Sequence, residues 1–421
     1  MDFSELHTLG ASEETHKLER VERTTRLVEA AGLYPSYRVV SSASTEPTCL
    51  VDGRELIMLC SNNYLGLARH PAVIEGARRE LECHGLGPGG SRVLCGNLAV
   101  LGELEERIAD LVGTEDAVTL PTGYMANVGA INGLLDPILG VLPYRKGAAA
   151  VISDERNHGT LFDGMALSHA KRFLYAHNDL DDLVRKLERA ADHSPRMIVT
   201  EGVYSVDGEV TPLPQIVEIA RRFDAILMVD DAHGVGVLGP HGGGTLEHFG
   251  MEGQADLVMG SFDKALGGMG GWLAGRKEVV KYLRMSSHPY MTSSAVPAVM
   301  AGAMIRSIEA CIEGAELRAR LRSNADYLRG ALTGLGFRVL GDGTLPVVPV
   351  VIGGEEEAIA FSERLLELGV FLPCFRWPSV PRGTARVRAT VTALHRPEHL
   401  QRAVDAFRQA GQELGSAATA A

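Results

Sequence analysis

The sequence predicts an α/β fold: a large domain built on a mostly parallel sheet covered on both faces, followed by a smaller α+β C-terminal domain. Three observations predict it. Short apolar runs alternate with amphipathic stretches through the middle of the chain, the pattern of βαβ units. Several of those runs stop at a polar residue, as strands do where α/β sheets bind ligands outside their carboxyl ends. Past Pro297 the alternation gives way to a long helical stretch and a strictly alternating strand.

The elements follow in order. Residues 13–31 carry Leu18, Val21, Leu27 and Val28 at helical spacing among charges, which predicts a helix lying on another surface. Two short strands, 49–51 and 56–60, hinge at Asp52-Gly53. A helix over 71–83 leads to HGLGPGGSRVLCGN, a glycine loop without P-loop or dinucleotide spacing. An amphipathic helix, 98–112, precedes a strand at 117–120, and Pro121-Thr122-Gly123-Tyr124 opens the next helix. Further strands are predicted at 149–153, 172–175, 197–201, 225–229, 257–259 and 272–274. Helices are predicted near 160–168, 179–192, 213–223 and 277–285. A single helix is expected over 296–334, then strands at 337–340, 347–352 and 370–372. RVRATVTA, 386–393, alternates like a strand with one wet face. A helix over 397–412 precedes an Ala-rich tail, GSAATAA, expected to fray. The domains are placed at 1–63, 64–300 and 301–421.

Composition narrows the function classes. The chain has 421 residues, 45% of them hydrophobic and 22% charged, which suits a globular protein with room for a sizeable core. A net charge of −12 without a basic run argues against nucleic acid and anionic membrane as partners. No apolar run reaches the ~18 residues of a membrane span, and the polar, acidic start is not a signal peptide. Six cysteines without CxxC pairing read as thiols of a reducing cytoplasm.

The densest chemistry lies between residues 225 and 271. One apolar run ends in Asp230, Asp231, Ala232 and His233; a second ends in Ser261, Phe262, Asp263 and Lys264 before glycines. Singly, a strand-end Asp is usually a turn residue and a Lys before glycine a surface charge. Together, an acid, an imidazole and a lysine in one crevice suit pyridoxal phosphate (PLP): the lysine forms the Schiff base and the acid keeps the pyridinium nitrogen protonated. Thr122-Gly123 at a strand–helix junction offers free amides to a phosphate. His158, Ser205 with Asp207, and Arg388 lie at further strand ends or in the late strand. A stacking imidazole, a hydroxyl near a phenolic oxygen and an Arg fork for a carboxylate would complete a site for amino-acid chemistry.

At this point the ordered set SNNYLGL, GGSR, TGYMAN, NHGTLFDG, EGVYSVDG, DDAHGVGVLG, DKALGGMGG and ARVRATVTALH resembles the α-oxoamine synthases over roughly residues 30–412. The resemblance implies the aspartate-aminotransferase-like fold, PLP-dependent transferase fold type I. It implies Lys264 as the Schiff-base lysine, Asp230 at the ring nitrogen, His158 stacked on the ring, and His233 and Ser205 beside the phenolic oxygen. Thr122, Gly123, Tyr124 and Ser261 would hold the phosphate. Thr292 and Ser293 would reach the phosphate of a neighbouring subunit, making a homodimer with shared sites. Asn62 and Arg388 would bind the amino-acid carboxylate. The implied reaction condenses glycine, alanine or serine with an acyl thioester of coenzyme A or acyl carrier protein, with loss of CO₂. The alternatives are an aminotransferase or other PLP enzyme on the same fold, or a non-catalytic subunit of a synthase.

Three departures stand out. Leu101 replaces a His common in the family. Asp263 replaces the Ser or Gly usual before the lysine and is expected to point away. Residues 135–147 are longer than the usual turn, as an acyl-channel lining or a thicker dimer interface would be.

Overall fold

Seven strands make the central sheet of the protein, seen here in a computed structural model that describes residues 17–30, 34, 37–136, 147–343 and 345–415. The strands of the whole chain run, in order, β1 (Thr48–Val51), β2 (Arg54–Met58), β3 (Asp116–Leu120), β4 (Ala150–Asp154), β5 (Lys171–Tyr175), β6 (Arg196–Glu201), β7 (Val203–Tyr204) and β8 (Glu209–Val210). They continue with β9 (Ile226–Asp230), β10 (Leu257–Ser261), β11 (Gly271–Gly275), β12 (Arg338–Val339), β13 (Val347–Gly353), β14 (Val370–Phe371), β15 (Cys374–Phe375) and β16 (Ala385–Thr390). The central sheet has the order β3-β11-β10-β9-β6-β4-β5. All its pairs are parallel except the two made by β11. The inner strands are buried on both faces, which is why they read as continuous apolar runs.

Register decides what shares an edge. Glu201 pairs with Asp230 across β6 and β9, and Asp230 with Met259 across β9 and β10. Ser261 pairs with Gly271, which pairs with Leu120 across β11 and β3. The carboxyl ends of β3, β6, β9 and β10 therefore open on one side of the sheet. Gly260 has no room for a side chain there, since a Cβ would overlap the buried Trp272 ring.

The N-terminal hairpin turns at Asp52 and Gly53, both with positive φ, as a two-residue hairpin turn requires. β2 then pairs in parallel with β14, so the first strands are stitched to the C-terminal part of the chain. A second sheet, β12-β13-β16-β15, is antiparallel throughout.

Two expectations need correction. The helix expected over 296–334 is two helices, Ala298–Glu313 and Ala315–Gly334, broken at Gly314, where ψ is 35°. Glycine is the weakest common helix former after proline. RVRATVTA has no wet face: Arg386 and Arg388 turn inward, Arg386 onto Asp207 at 2.7 Å. A helix at Glu355–Glu367 had no counterpart in the sequence reading, although Ala358, Phe361 and Leu365 recur at helical spacing on its buried side. The helix expected over 13–31 is described over Glu19–Ala30. Most of the 135–147 segment and nearly all of the Ala-rich tail lie outside the described residues.

The boundary expected at 300 falls inside the helix Ala298–Glu313. That helix crosses Pro71–His84 so closely at Gly76 and Gly302 that a Cβ on either would strike the other's carbonyl oxygen. Small residues at a crossing let two backbones approach.

The GGSR loop has a structural role. Arg92 reaches both oxygens of Glu105, at 2.6 and 3.1 Å, and both side chains are 6% exposed. Glu105 Oε1 also accepts from the Thr119 amide and hydroxyl at 2.8 and 2.9 Å. The pair ties the loop to β3 just ahead of Thr122. Arg92→Ala strands a buried carboxylate and is expected to cost about 3–5 kcal/mol. Urea denaturation of the cofactor-free protein measures it; a loss under ~1 kcal/mol would show the pair to be dispensable.

Candidate active site

Asp230 is buried on the open side of the sheet, 6% exposed at the end of β9. Asn127 Nδ2 donates to its Oδ2 at 2.7 Å and the Ala232 amide to its Oδ1 at 3.1 Å. Asn127 Nδ2 also donates to Thr160 Oγ1 at 2.9 Å, and that oxygen lies 2.9 Å from His158 Nδ1. The Thr160 amide donates to the same nitrogen at 3.4 Å, so Nδ1 accepts and Nε2 is left to carry the proton of a neutral ring. His158 caps the helix Gly159–Leu167 through this contact. The neighbouring Asp231 is different. It points away into a knot with Thr245, whose amide and hydroxyl donate to it at 2.6 and 2.5 Å. Burial, partly offset by those bonds, pushes its pKa up to about 7.

A cleft of about 510 Å³ opens above Asp230. All the site residues predicted from the sequence line it except Thr292 and Ser293. Those two sit at the end of the helix His288–Thr292, with their hydroxyls turned back on the carbonyls of His288 and Pro289. Thr122 caps the helix Gly123–Leu135, its Oγ1 accepting from the Met125 amide at 3.1 Å. Ser261 lies beside that helix start: a Cβ on Gly123 would be 3.3 Å from Ser261 Oγ.

His233 Nδ1 is 2.7 Å from the Tyr64 hydroxyl. Burial, and then the positive charges of Lys264 and Arg388, hold its pKa well below the usual value, so the ring is neutral. Burial raises the Tyr64 phenol. Arg388 reaches the Ser205 carbonyl at 3.3 Å and Asn62 Oδ1 at 3.4 Å, with its guanidinium 4.9 Å from the centre of the Phe375 ring. Both bonds are long, and its buried Nε has no partner among the described residues. A carboxylate would satisfy it.

Three residues here escaped the sequence reading. Asn127 and Tyr64 lie within motifs already singled out, but nothing in their spacing shows which strand end they meet. Glu201 ends β6 as Asp230 ends β9, and that parallel was the available signal. Burial and the charge of Asp230 raise the Glu201 pKa well above the usual carboxylate range. Asp263 also needs correction. Its carboxylate turns into the cleft rather than away, accepting from Ser261 Oγ and lying 3.3 Å from Lys264 Nζ. Leu101 is fully buried in the core and does not line the cleft.

A lysine, a deep carboxylate, a neutral imidazole and a helix N-terminus at the carboxyl ends of such a sheet define a PLP enzyme of fold type I. Comparison with known proteins agrees. The family model for aminotransferase class I and II matches residues 54–407. The chain is 39% identical to 8-amino-7-oxononanoate synthase of Thermoanaerobacter pseudethanolicus over 95% of this chain and 98% of that one. It is 38% identical to 2-amino-3-ketobutyrate coenzyme A ligase of Salmonella typhimurium over 92% and 95%. Among solved structures, Sphingomonas wittichii serine palmitoyltransferase superposes with a TM-score of 0.87 at 29% identity, covering 96% of this chain and 99% of that one. The S. paucimobilis enzyme, bound to a PLP–myriocin aldimine, gives 0.85 at 31% identity over 95% and 98%. The chain belongs to the aminotransferase class I and II family and, within it, to the α-oxoamine synthases, which are PLP-dependent acyltransferases. Among the described residues no helix is long and apolar enough to cross a membrane.

The raised Glu201 pKa fixes a pH dependence. Above its unfolded pKa of about 4.5, folding must take up a proton, so the residue costs stability increasingly as pH rises towards its folded pKa. Glu201→Gln removes that cost. The cofactor-free variant is expected to melt above wild type at pH 7–8, with the gap closing towards pH 4.5. A constant gap across that range would show that Glu201 does not take up a proton on folding.

Proposed function

We propose that the chain condenses a small amino acid (glycine, alanine or serine) with an acyl thioester of coenzyme A or acyl carrier protein. The thiol and CO₂ leave and an α-amino ketone forms. The observation that carries this reading is the convergence of Lys264, Asp230 and Arg388 on one cleft. The residues present fit PLP: an amine and a buried carboxylate lining one cleft, an open helix N-terminus next to a hydroxyl, and an unpartnered guanidinium nitrogen where a carboxylate would enter.

Lys264 would carry the cofactor, Asp230 would face its ring nitrogen and His158 its ring face. His233 and Ser205 would meet its phenolic oxygen. The amides of Gly123 and Tyr124, with Thr122 and Ser261, would hold its phosphate. When bound, PLP supplies an electron sink for charge developing at the Cα of an amino acid.

The rest is the work of the side chains. Asn127 and the Ala232 amide hold the Asp230 carboxylate in one orientation. Arg388 and Asn62 orient the substrate carboxylate by a charge-assisted fork. The Lys264 amine takes the Cα proton and returns one after CO₂ has left. His233 is anchored through Nδ1 to Tyr64, and its other nitrogen is left for a ligand. Small amino acids differ in such a pocket by ~1–3 kcal/mol, so the choice among them is set by few contacts.

Thr292 and Ser293 do not line the cleft of their own subunit, which supports a role in a partner's site and hence a homodimer. Leu86, Val93, Leu94 and Met269 are exposed apolar residues that a second copy would cover. All six cysteines are unpaired, which supports a cytoplasmic setting.

Lys264→Ala is expected to abolish the visible absorption band that PLP develops on the wild-type protein. Arg388→Ala is expected to keep that band and raise KM for the amino acid about 10- to 150-fold, the loss of ~1.5–3 kcal/mol from a charged hydrogen bond. Titration with glycine, alanine and serine, with and without a panel of acyl thioesters, identifies both substrates from the pairing that releases thiol. Thiol release with none of them, together with conversion of the amino acid to its oxo acid while a second, supplied oxo acid takes up the amino group, would replace the synthase by an aminotransferase. For the shared site, Lys264→Ala mixed with a Thr292→Ala/Ser293→Ala variant is expected to regain activity; an unchanged sum would exclude sharing.

A further inference from the structure

Among the described residues, Asp263 is the one departure from the family pattern that lies within the cleft. Its Oδ1 accepts from Ser261 Oγ and stands 3.3 Å from Lys264 Nζ. Ser261 is buried at the end of β10, and Gly123 at the start of the helix Gly123–Leu135 packs against it. A hydroxyl, an ammonium and the first amides of a 13-residue helix are the donors of an anion site. The anion that meets the first two of them here belongs to the chain itself.

We propose that Asp263 is an internal competitor for the cofactor's phosphate, engaging Ser261 and Lys264 in the cofactor-free protein and swinging out before the phosphate docks. This rests on the reading of Ser261 and Lys264 as cofactor-holding residues. The geometry allows the exchange. The Asp263 side chain is 53% exposed, so it leaves to water without breaking apolar packing. Ser261 Oγ keeps a second acceptor, the Gly270 carbonyl at 3.2 Å. A carboxylate and a phosphate sharing one hydroxyl repel each other strongly beside a low-dielectric wall. Loading is therefore slow, anion-sensitive and dependent on ionic strength.

The test follows PLP uptake by cofactor-free wild type, Asp263→Asn and Asp263→Gly with stopped-flow absorbance. Association is expected to be about tenfold or more faster in both variants, the order of effect that one local charge has on an on-rate. The gap should narrow at high salt, where charges are screened. Pyridoxal, which has the aldehyde but no phosphate, should gain less. Inorganic phosphate should raise the melting temperature of Asp263→Asn more than that of wild type. The isosteric Asn variant keeps the test open if the Gly variant misfolds. Equal PLP association rates in wild type and Asp263→Asn, with the same final band, would overturn the competition and leave the reading of the site standing. No band in any of the three proteins would overturn that reading and this proposal with it.

Discussion

The in-register carboxyl edge of β6, β9 and β10 is the constraint on which the rest of the structure depends. Parallel pairing sets Glu201, Asp230 and Met259 side by side, and two residues further on Ser261 faces the start of the helix after β3. A slip of one residue in any of these strands would turn its terminal side chain to the opposite face. Burial on both faces makes such a slip expensive, because every apolar residue of the strand would have to repack. The scaffold thus fixes where the acid, the hydroxyl and the helix-start amides stand before any side chain is chosen.

Electrostatics then assigns different states to similar groups. Asp230 and Asp231 are adjacent carboxylates with opposite fates: one faces the cleft through Asn127, and the other is locked behind it with Thr245. His233 is neutral because it is buried among cations, and its Tyr64 anchor orients it. Glu201 is shifted towards its neutral form by burial and by Asp230 itself. Arg386 takes Asp207 out of the cleft, while Arg388, two residues on and on the same face of the strand, stays available.

The C-terminal part completes the site by crossing back. β16 brings Arg388 over the carboxyl edge of the central sheet, and β14 binds the N-terminal strands that carry Asn62 nearby. The end of the cleft where Arg388 meets Asn62 is therefore made of residues 326 positions apart in the chain. It forms only when both parts have folded against the large sheet.

The amino-acid sequence by itself determined the alternation of strands and helices, the polar stops at Asp230, Ser205 and Lys264, and the Thr122 cap. These are local signals: apolar period, turn chemistry and capping all act within a few residues. Its family resemblance carried the candidate site residues to positions that the cleft brings together, Thr292 and Ser293 apart. Tertiary structure alone decided what those residues touch. Asn127 on Asp230, Tyr64 on His233, Arg92 on Glu105 and the inward turn of Asp263 are contacts that no local spacing records. It also overruled the wet face of β16, since alternation shows that two faces differ in polarity but not that the polar one meets water. There the polar face meets the cleft and Asp207, because the turn between β7 and β8 that carries Ser205 and Asp207 lies against it. Contacts between distant segments depend on how the layers stack, and that is set by the packing of the whole chain.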